Sequence, residues 1–236
     1  MLGTQFYDTY IEREQHALDK HRIALLAQMY DAASTDVLDI GCGNGEVLEL
    51  LRSMSPKSFR GHGLDLGASV VDKLAHRGFV GRQHDAGTPL PYADASFDTI
   101  VCSEVIEHVV DVDGLVSEAR RILRPSGTLL LTTPNLAYLA NRMLLLVGIQ
   151  PFFTETSLNR KLGRKFRFLG QGGATQGHLK IFTRASLCEL LQMHGFRVLE
   201  LRGYPYFSGG LLAVIDRVIA TVPSLAAGFV VKAVPN

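Results

Sequence analysis

Three groups of residues in this 236-residue chain have the types and spacing for chemistry. The first lies in DVLDIGCGNG, residues 36–45, where Asp39 is followed by Gly41, Gly43 and Gly45 at alternate positions. Glycine loses more conformational freedom on folding than other residues, so this density marks a backbone that bends tightly or lies against something. The second is Asp65, closing the apolar run GHGLDL, where a carboxylate can accept both hydroxyls of an adenosine ribose. The third is SEVIEHV, residues 103–109, in which Glu104, Glu107 and His108 stand at i, i+3 and i+4 and share one face if the segment is helical. Two carboxylates and an imidazole so placed are candidate ligands for a divalent cation, which would polarise an acceptor hydroxyl and lower its pKa. His108 is equally a candidate base, or a residue that caps or packs at a helix end. His178, in GHLKIF, is a further candidate ligand or base, or an ordinary strand-edge histidine.

The elements that must hold these groups follow a regular order. VLDI (37–40) predicts a short buried strand, and VLELLRSM (47–54) a helix with Val47, Leu48, Leu50, Leu51 and Met54 on one stripe. GHGLDL and ASVVDKLAHRG repeat the pair, FVGRQHDA is a weak third strand, and FDTIVCSE (97–104) a fourth. DVDGLVSEARRIL is helical, RPSG stops it, and GTLLLTTP (127–134) is the fifth strand. Apolar runs without alternation suit strands covered on both faces. Repeated β-then-α units predict one α/β domain over 1–236, a doubly wound, mostly parallel sheet. Residues 1–33 are expected to be an N-terminal helical segment. Between 136 and 180 the regularity breaks, and an inserted cap over the carboxyl ends of the strands is expected there. The helix RASLCELLQMHG, the strand FRVLELRG, an amphipathic segment GGLLAVIDRVIATV and a last strand GFVVKAV complete the chain.

In open α/β sheets the first strand-to-helix turn is the usual ligand site. A tight turn without a ligand is the plain alternative, since one glycine motif is weak evidence. A nicotinamide dinucleotide wants G-x-G-x-x-G with a pyrophosphate at the helix N-terminus. Here the sixth position is Glu46, whose carboxylate would repel a pyrophosphate. S-adenosylmethionine carries no phosphate and bears a positive sulfonium, so the spacing favours the methyl donor over an NAD-dependent dehydrogenase.

Through VLDIGCGNG, GLDL, HDA, FDTIVCSEVIEHV and EARRILRPSGTLLLTTPN the chain resembles the class I S-adenosylmethionine-dependent methyltransferases. The resemblance implies a Rossmann-like sheet of seven strands, with the last antiparallel between the fifth and sixth. It also implies that Asp39 and the backbone at Gly41, Gly43 and Gly45 hold the methionine end, and that Asp65 and Leu66 meet the ribose. Asp85 and Ala86 would meet the adenine edge, although Asp85 before Gly87 and Pro89 reads equally as a turn residue. Ser103 would line the pocket. SEVIEHV is similar to the motif of ubiquinone-biosynthesis O-methyltransferases, and similar clusters in small-RNA ribose methyltransferases include some that use these positions for a metal.

Composition bounds the acceptor. With 24 basic and 23 acidic residues, the net charge of +1 gives no whole-molecule field for nucleic acid. Cys42, Cys102 and Cys188 form neither a disulfide framework nor a zinc pattern, which favours a reducing compartment. The start MLGTQFYDTYIEREQ lacks the apolar core of a signal peptide. A cytoplasmic protein is expected, with peripheral contact at the inner face of a membrane as an option. Arg160, Lys161, Arg164, Lys165, Arg167 and Lys180 against Glu155 make the cap region locally basic. This is either a solvated loop or an anion-facing surface. The apolar surplus in 138–153 and 209–222, beside this basic run, suits a lipid headgroup layer. The expected acceptor is a small lipophilic or anionic molecule methylated on oxygen. RNA is the alternative, as is a cofactor-binding module without turnover.

Overall fold

A computed structural model describes residues 20–163 and 175–236. Its elements are α1 (Lys20–Met29), β1 (Asp36–Ile40), α2 (Glu46–Met54), β2 (Arg60–Asp65), α3 (Ala68–His76), β3 (Val80–Gln83) and β4 (Phe97–Ser103). After a 3₁₀ turn at Ile106–His108 come α4 (Val112–Ile122), β5 (Leu123–Pro134), α5 (Leu139–Leu146), α6 (Arg184–Met193), β6 (Phe196–Tyr204), α7 (Gly210–Ala220) and β7 (Gly228–Pro235). The strands form one seven-stranded sheet in the order β3-β2-β1-β4-β5-β7-β6. β1 runs parallel to β2 and β4, whereas β7 is antiparallel to both β5 and β6. The expected α/β doubly wound sheet, with its last strand antiparallel between the fifth and sixth, is what the chain forms.

Every residue of β1 is buried, because neighbouring strands take up its edges and helices cover both faces. Successive side chains of a strand point to opposite faces. Val37 accordingly joins Leu26, Leu48, Leu51 and Leu74 from α1, α2 and α3. Leu38 and Ile40 join Leu115, Val116, Leu187 and Leu191 from α4 and α6. The strand order reverses between β1 and β4, and a crevice at such a switch point is where ligands bind in this architecture.

Two boundaries differ from the sequence expectation. RPSG does not simply end α4: Leu123 already pairs with Phe97, and the register then shifts so that Thr99 faces Thr128. The extra residues bulge from β5, and Arg124 pins the bulge by donating to Asp98 Oδ1 at 2.6 Å and Asp36 Oδ2 at 3.0 Å. Of the N-terminal helical segment expected over 1–33, α1 is the helix described, and residues 1–19 lie outside the described residues. Between Leu136 and Gly177 the described chain holds α5 and irregular backbone, with one isolated bridge from Asn135 to Phe182.

Candidate active site

The three glycines of the first loop all adopt left-handed backbone, with φ of 71° at Gly41, 48° at Gly43 and 77° at Gly45. That region costs any residue with a Cβ roughly 1–2 kcal/mol. Gly41 and Gly45 are also pressed by neighbours, since a Cβ there would overlap Val105 and Leu74 respectively. Gly43 has open space on that side instead. The loop is therefore tight against the protein at its ends and free at its middle, the shape of a cradle.

Asp65, at the end of β2, accepts from Gly43 N–H at 3.0 Å and from Gly67 N–H at 3.0 Å, tying the loop to the next strand. Asp39 lies beneath it, buried, and its Oδ2 has no hydrogen-bond partner. Burial, and then the charge of Asp65, push the Asp39 carboxyl up to about 8. Asp65 is thus engaged by the loop's own backbone, while Asp39 stays buried with one oxygen unpartnered. Cys42 is buried, and burial raises its thiol pKa, so it packs rather than reacts. After β3, Asp85 closes a turn by accepting from Gly87 N–H at 2.8 Å. Ala86 is buried in the core, and Leu66 is half-buried with its carbonyl taken by Gln83. Ser103 bonds Thr132 between β4 and β5 at 3.0 Å.

The chain bends sharply after β4, and this separates the third group. Glu104 has φ of 57°, outside any helix, and the following turn is 3₁₀ over Ile106–His108. The shared helical face expected for Glu104, Glu107 and His108 therefore does not form. Glu104 Oε1 accepts instead from Thr132 Oγ1 at 2.9 Å and Tyr204 Oη at 3.0 Å, and pairs with Arg22 at 3.2 Å. A ligand set containing Glu104 is corrected on this geometry.

Glu107, His108 and His178 do come together, with one ligating atom of each within 4.8 Å of the others. Glu107 is fully buried; its Oε2 accepts from Thr133 Oγ1 at 2.9 Å, while Oε1 has no hydrogen bond. The imidazoles of His108 and His178 stand 4.9 Å apart. His108 Nδ1 faces the Gly177 carbonyl at 3.2 Å, and His178 Nδ1 faces the Phe153 carbonyl at 2.7 Å. A carbonyl partner assigns the N–H to Nδ1 in each ring and the lone pair to Nε2. His108 Nε2 is 4.0 Å from Glu107 Oε1. Burial, followed by the charge on His178, lowers the His108 pKa to about 4, and burial raises the Glu107 carboxyl to about 7. Near neutrality His108 is thus uncharged, beside a carboxyl whose ionisation burial delays.

Long-range contacts make this cluster. Leu179 and Lys180 N–H both donate to the Glu107 carbonyl, laying their segment across the 3₁₀ turn. Glu155 holds the same segment from beneath, accepting from Gln176, Gly177 and His178 N–H. Phe153, whose carbonyl orients His178, has φ of 69°. Glu155, Thr133 and Phe153 had no sequence signal, because nothing in their spacing points to partners so far along the chain. Of the basic run, Arg164, Lys165 and Arg167 lie outside the described residues.

Comparison with known proteins identifies the frame. A family model described as "Methyltransferase domain" matches residues 10–201, and the chain belongs to that family. A relative from Mycolicibacterium smegmatis, named "Probable S-adenosylmethionine-dependent methyltransferase", is 31% identical over 192 residues, covering 80% of this chain and 72% of its own. The ubiquinone biosynthesis O-methyltransferase of Xanthomonas oryzae pv. oryzae is 29% identical over 130 residues, or 52% of this chain, which spans only 53% of that protein. Among solved structures, a chain from the Haloferax volcanii complex of the Trm112 methyltransferase activator with a methyltransferase superposes with a TM-score of 0.67 at 20% identity, covering 97% and 95% of the two chains. An S-adenosylmethionine-dependent methyltransferase from Mesorhizobium loti gives 0.62 at 18%, covering 92% and 99%. The protein is an S-adenosylmethionine-dependent methyltransferase, and the dehydrogenase alternative falls away. The open middle of the glycine loop and the unpartnered Asp39 oxygen suit a ligand that carries positive charge and no phosphate. Among the described residues no helix is long and apolar enough to cross a membrane.

Proposed function

We propose that this methyltransferase methylates a hydroxyl oxygen of a small, lipophilic or anionic acceptor, and that His108 takes the hydroxyl proton. The observation that carries the reading is the convergence of His108 with Glu107 and His178 at the carboxyl end of the sheet, where the Gly177 carbonyl at Nδ1 leaves His108 Nε2 as the acceptor, 4.0 Å from Glu107 Oε1. An oxygen acceptor needs a base at this point, whereas an amine or an activated carbon does not. S-adenosylmethionine supplies an electrophilic methyl group. Asp39 and the Gly41, Gly43 and Gly45 backbone hold its methionine end, Asp65 and Leu66 its ribose, and Asp85 and Ala86 its adenine, with Ser103 on the pocket wall. His178 packs against His108, the Gly177 carbonyl sets the ring's tautomer, and the Glu107 carboxylate would balance the charge that forms on His108.

The convergence of Glu107, His108 and His178 also favours a second reading, in which they hold a divalent cation that polarises the hydroxyl. One pair of assays separates the two. Under the first reading His108→Ala binds S-adenosylhomocysteine as the parent does but loses turnover, and EDTA has no effect. Abolition by EDTA with rescue by manganese or magnesium establishes the second. Full turnover of His108→Ala, with or without chelator, overturns both and leaves positioning of the reactants as the source of rate. The ubiquinone O-methyltransferase relative supports an oxygen acceptor by its name. RNA as acceptor would instead show as label in the RNA fraction, and a cofactor-binding module as no turnover with any acceptor.

A further inference from the structure

The helix α7 is built inside out. Its buried positions are Ala213, Asp216 and Ala220, one stripe at helical spacing. Its outward face carries Leu211, Val214, Ile215 and Val218, with Leu211 76% and Val218 66% exposed. A helix that turned its apolar face inward would place these four in the core. Hydrogen bonds hold it the other way. Asp216 Oδ1 accepts from Tyr138 Oη at 2.8 Å, and Oδ2 accepts from Tyr206 N–H at 2.5 Å and Phe207 N–H at 2.9 Å. α5, which Tyr138 precedes, repeats the inversion only in part, since Leu144 is buried beside its polar residue. Its Asn141 is fully buried and bonds the Phe152 backbone, while Met143 and Leu146 are exposed. Both helices thus bury a polar side chain while aliphatic ones face outward, and the Tyr138–Asp216 hydrogen bond links them.

Among the described residues, the exposed charges carried by α5, the irregular segment after it and α7 are basic. Arg142 on α5, Arg160 in the irregular segment and Arg217 on α7 are exposed. The acids of the same segments are turned inward, Asp216 as above and Glu155 toward the backbone N–H groups of 176–178. At eleven residues α7 is about 16 Å long, too short to span a bilayer. A helix with an aliphatic face and flanking arginines lies in the interfacial plane of a membrane, most strongly an anionic one.

We propose that α7, with α5 beside it, docks this protein on an anionic lipid surface. The face also connects to the site. From the start of α7 the rings of Phe207 and Tyr206 lie 5.1 Å apart, Tyr206 and Phe153 5.6 Å, and Phe153 and His178 6.5 Å. This packed aromatic series links the start of the face to the histidines, and we take it as the side along which a lipophilic acceptor would reach them. The docking stands without the acceptor reading, whereas the delivery path rests on it.

Flotation of the full chain with phosphatidylcholine vesicles, with and without phosphatidylglycerol, tests the docking. The protein is expected to float with the anionic vesicles and to be released by salt. Ile215→Glu with Val218→Glu, both at exposed positions, is expected to weaken flotation by about tenfold or more, and Arg217→Glu to weaken it on anionic vesicles alone. S-adenosylhomocysteine binding by calorimetry, unchanged in these variants, shows that they fold. No flotation of the parent, equal flotation on neutral vesicles, or flotation untouched by the double variant would overturn the proposal. So would a dimer in light scattering that the double variant dissociates, which would assign the face to a second copy of the chain. Lost flotation of the double variant with intact methyl transfer to a water-soluble hydroxyl would support a docking surface separate from the reacting site. Intact flotation with His108→Ala fully active would instead fault the reading of the site.

Discussion

Asp39→Asn is expected to be more stable than the parent in alkaline buffer and to bind S-adenosylhomocysteine about 10- to 100-fold more weakly. Both effects come from one carboxyl. In the folded protein the Asp39 carboxyl titrates at about 8, against an ordinary value of 3.8, because it is buried beside Asp65. A raised folded-state pKa means that the folded chain keeps a proton the unfolded chain has lost. Its favourable contribution is complete below the ordinary carboxylate range and is lost as pH rises through about 8. Above that pH the protein carries a buried charge whose Oδ2 has no hydrogen-bond partner. Replacing the acid with an amide removes that charge, for a gain of roughly 1–3 kcal/mol and a rise in Tm of about 2–10 °C. The ligand inverts the balance. A positive group placed against Asp39 stabilises the carboxylate and lowers its pKa, so binding near neutrality should release a proton. Calorimetry in buffers of differing ionisation enthalpy reads that release. An Asp39→Asn protein that is less stable at high pH, yet binds normally and releases the same protons, would remove Asp39 from the cofactor site.

The second large effect concerns Glu107. Turnover is expected to rise through pH of about 7, where the Glu107 carboxyl ionises, while His108, at about 4, stays neutral across that range. When His108 takes a proton, the imidazolium is buried and needs a counter-charge. Glu107 Oε1, 4.0 Å from His108 Nε2, is placed to supply it. Glu107→Gln keeps the shape, and its amide can still meet Thr133, so folding should survive. The loss expected is about a hundredfold in kcat, with the alkaline-rising limb gone and cofactor affinity unchanged. Retention of that limb in Glu107→Gln would assign it to another group. The stability consequences of the pair oppose each other. Glu107, raised, favours folding at low pH and loses that contribution as pH climbs from 4.5 to about 7. His108, depressed, penalises folding below 6.5, and the penalty grows as pH falls toward about 4.

What the sequence made legible was local. Asp39, the alternate glycines and Asp65 lie within one strand-turn-helix-strand unit, and burial on both faces wrote apolar runs into each strand. The site fails to read where long-range contacts decide it. Glu104 sits at helical spacing from Glu107 and His108, but its backbone turns left-handed to reach Thr132, Tyr204 and Arg22. His178 could be suspected from its residue type, yet its position depends on Glu155 and on Phe153, whose carbonyl it meets at 2.7 Å. The amphipathic pattern of 209–222 was visible, but the usual inference runs backwards there. Asp216 is the buried anchor and the aliphatic residues face out, because a buried hydrogen-bond network decides the helix's rotation and periodicity carries no sign.

The most direct test of the account follows a labelled methyl group to its destination. The protein would be given S-adenosylmethionine with an isotopically labelled methyl and a lipid-soluble small-molecule extract, and the product's labelled carbon assigned by NMR. The account predicts a methoxyl carbon on a small molecule, absent when His108→Ala replaces the parent. Label on nitrogen or carbon, label in RNA, or a methoxyl signal undiminished in His108→Ala would contradict it.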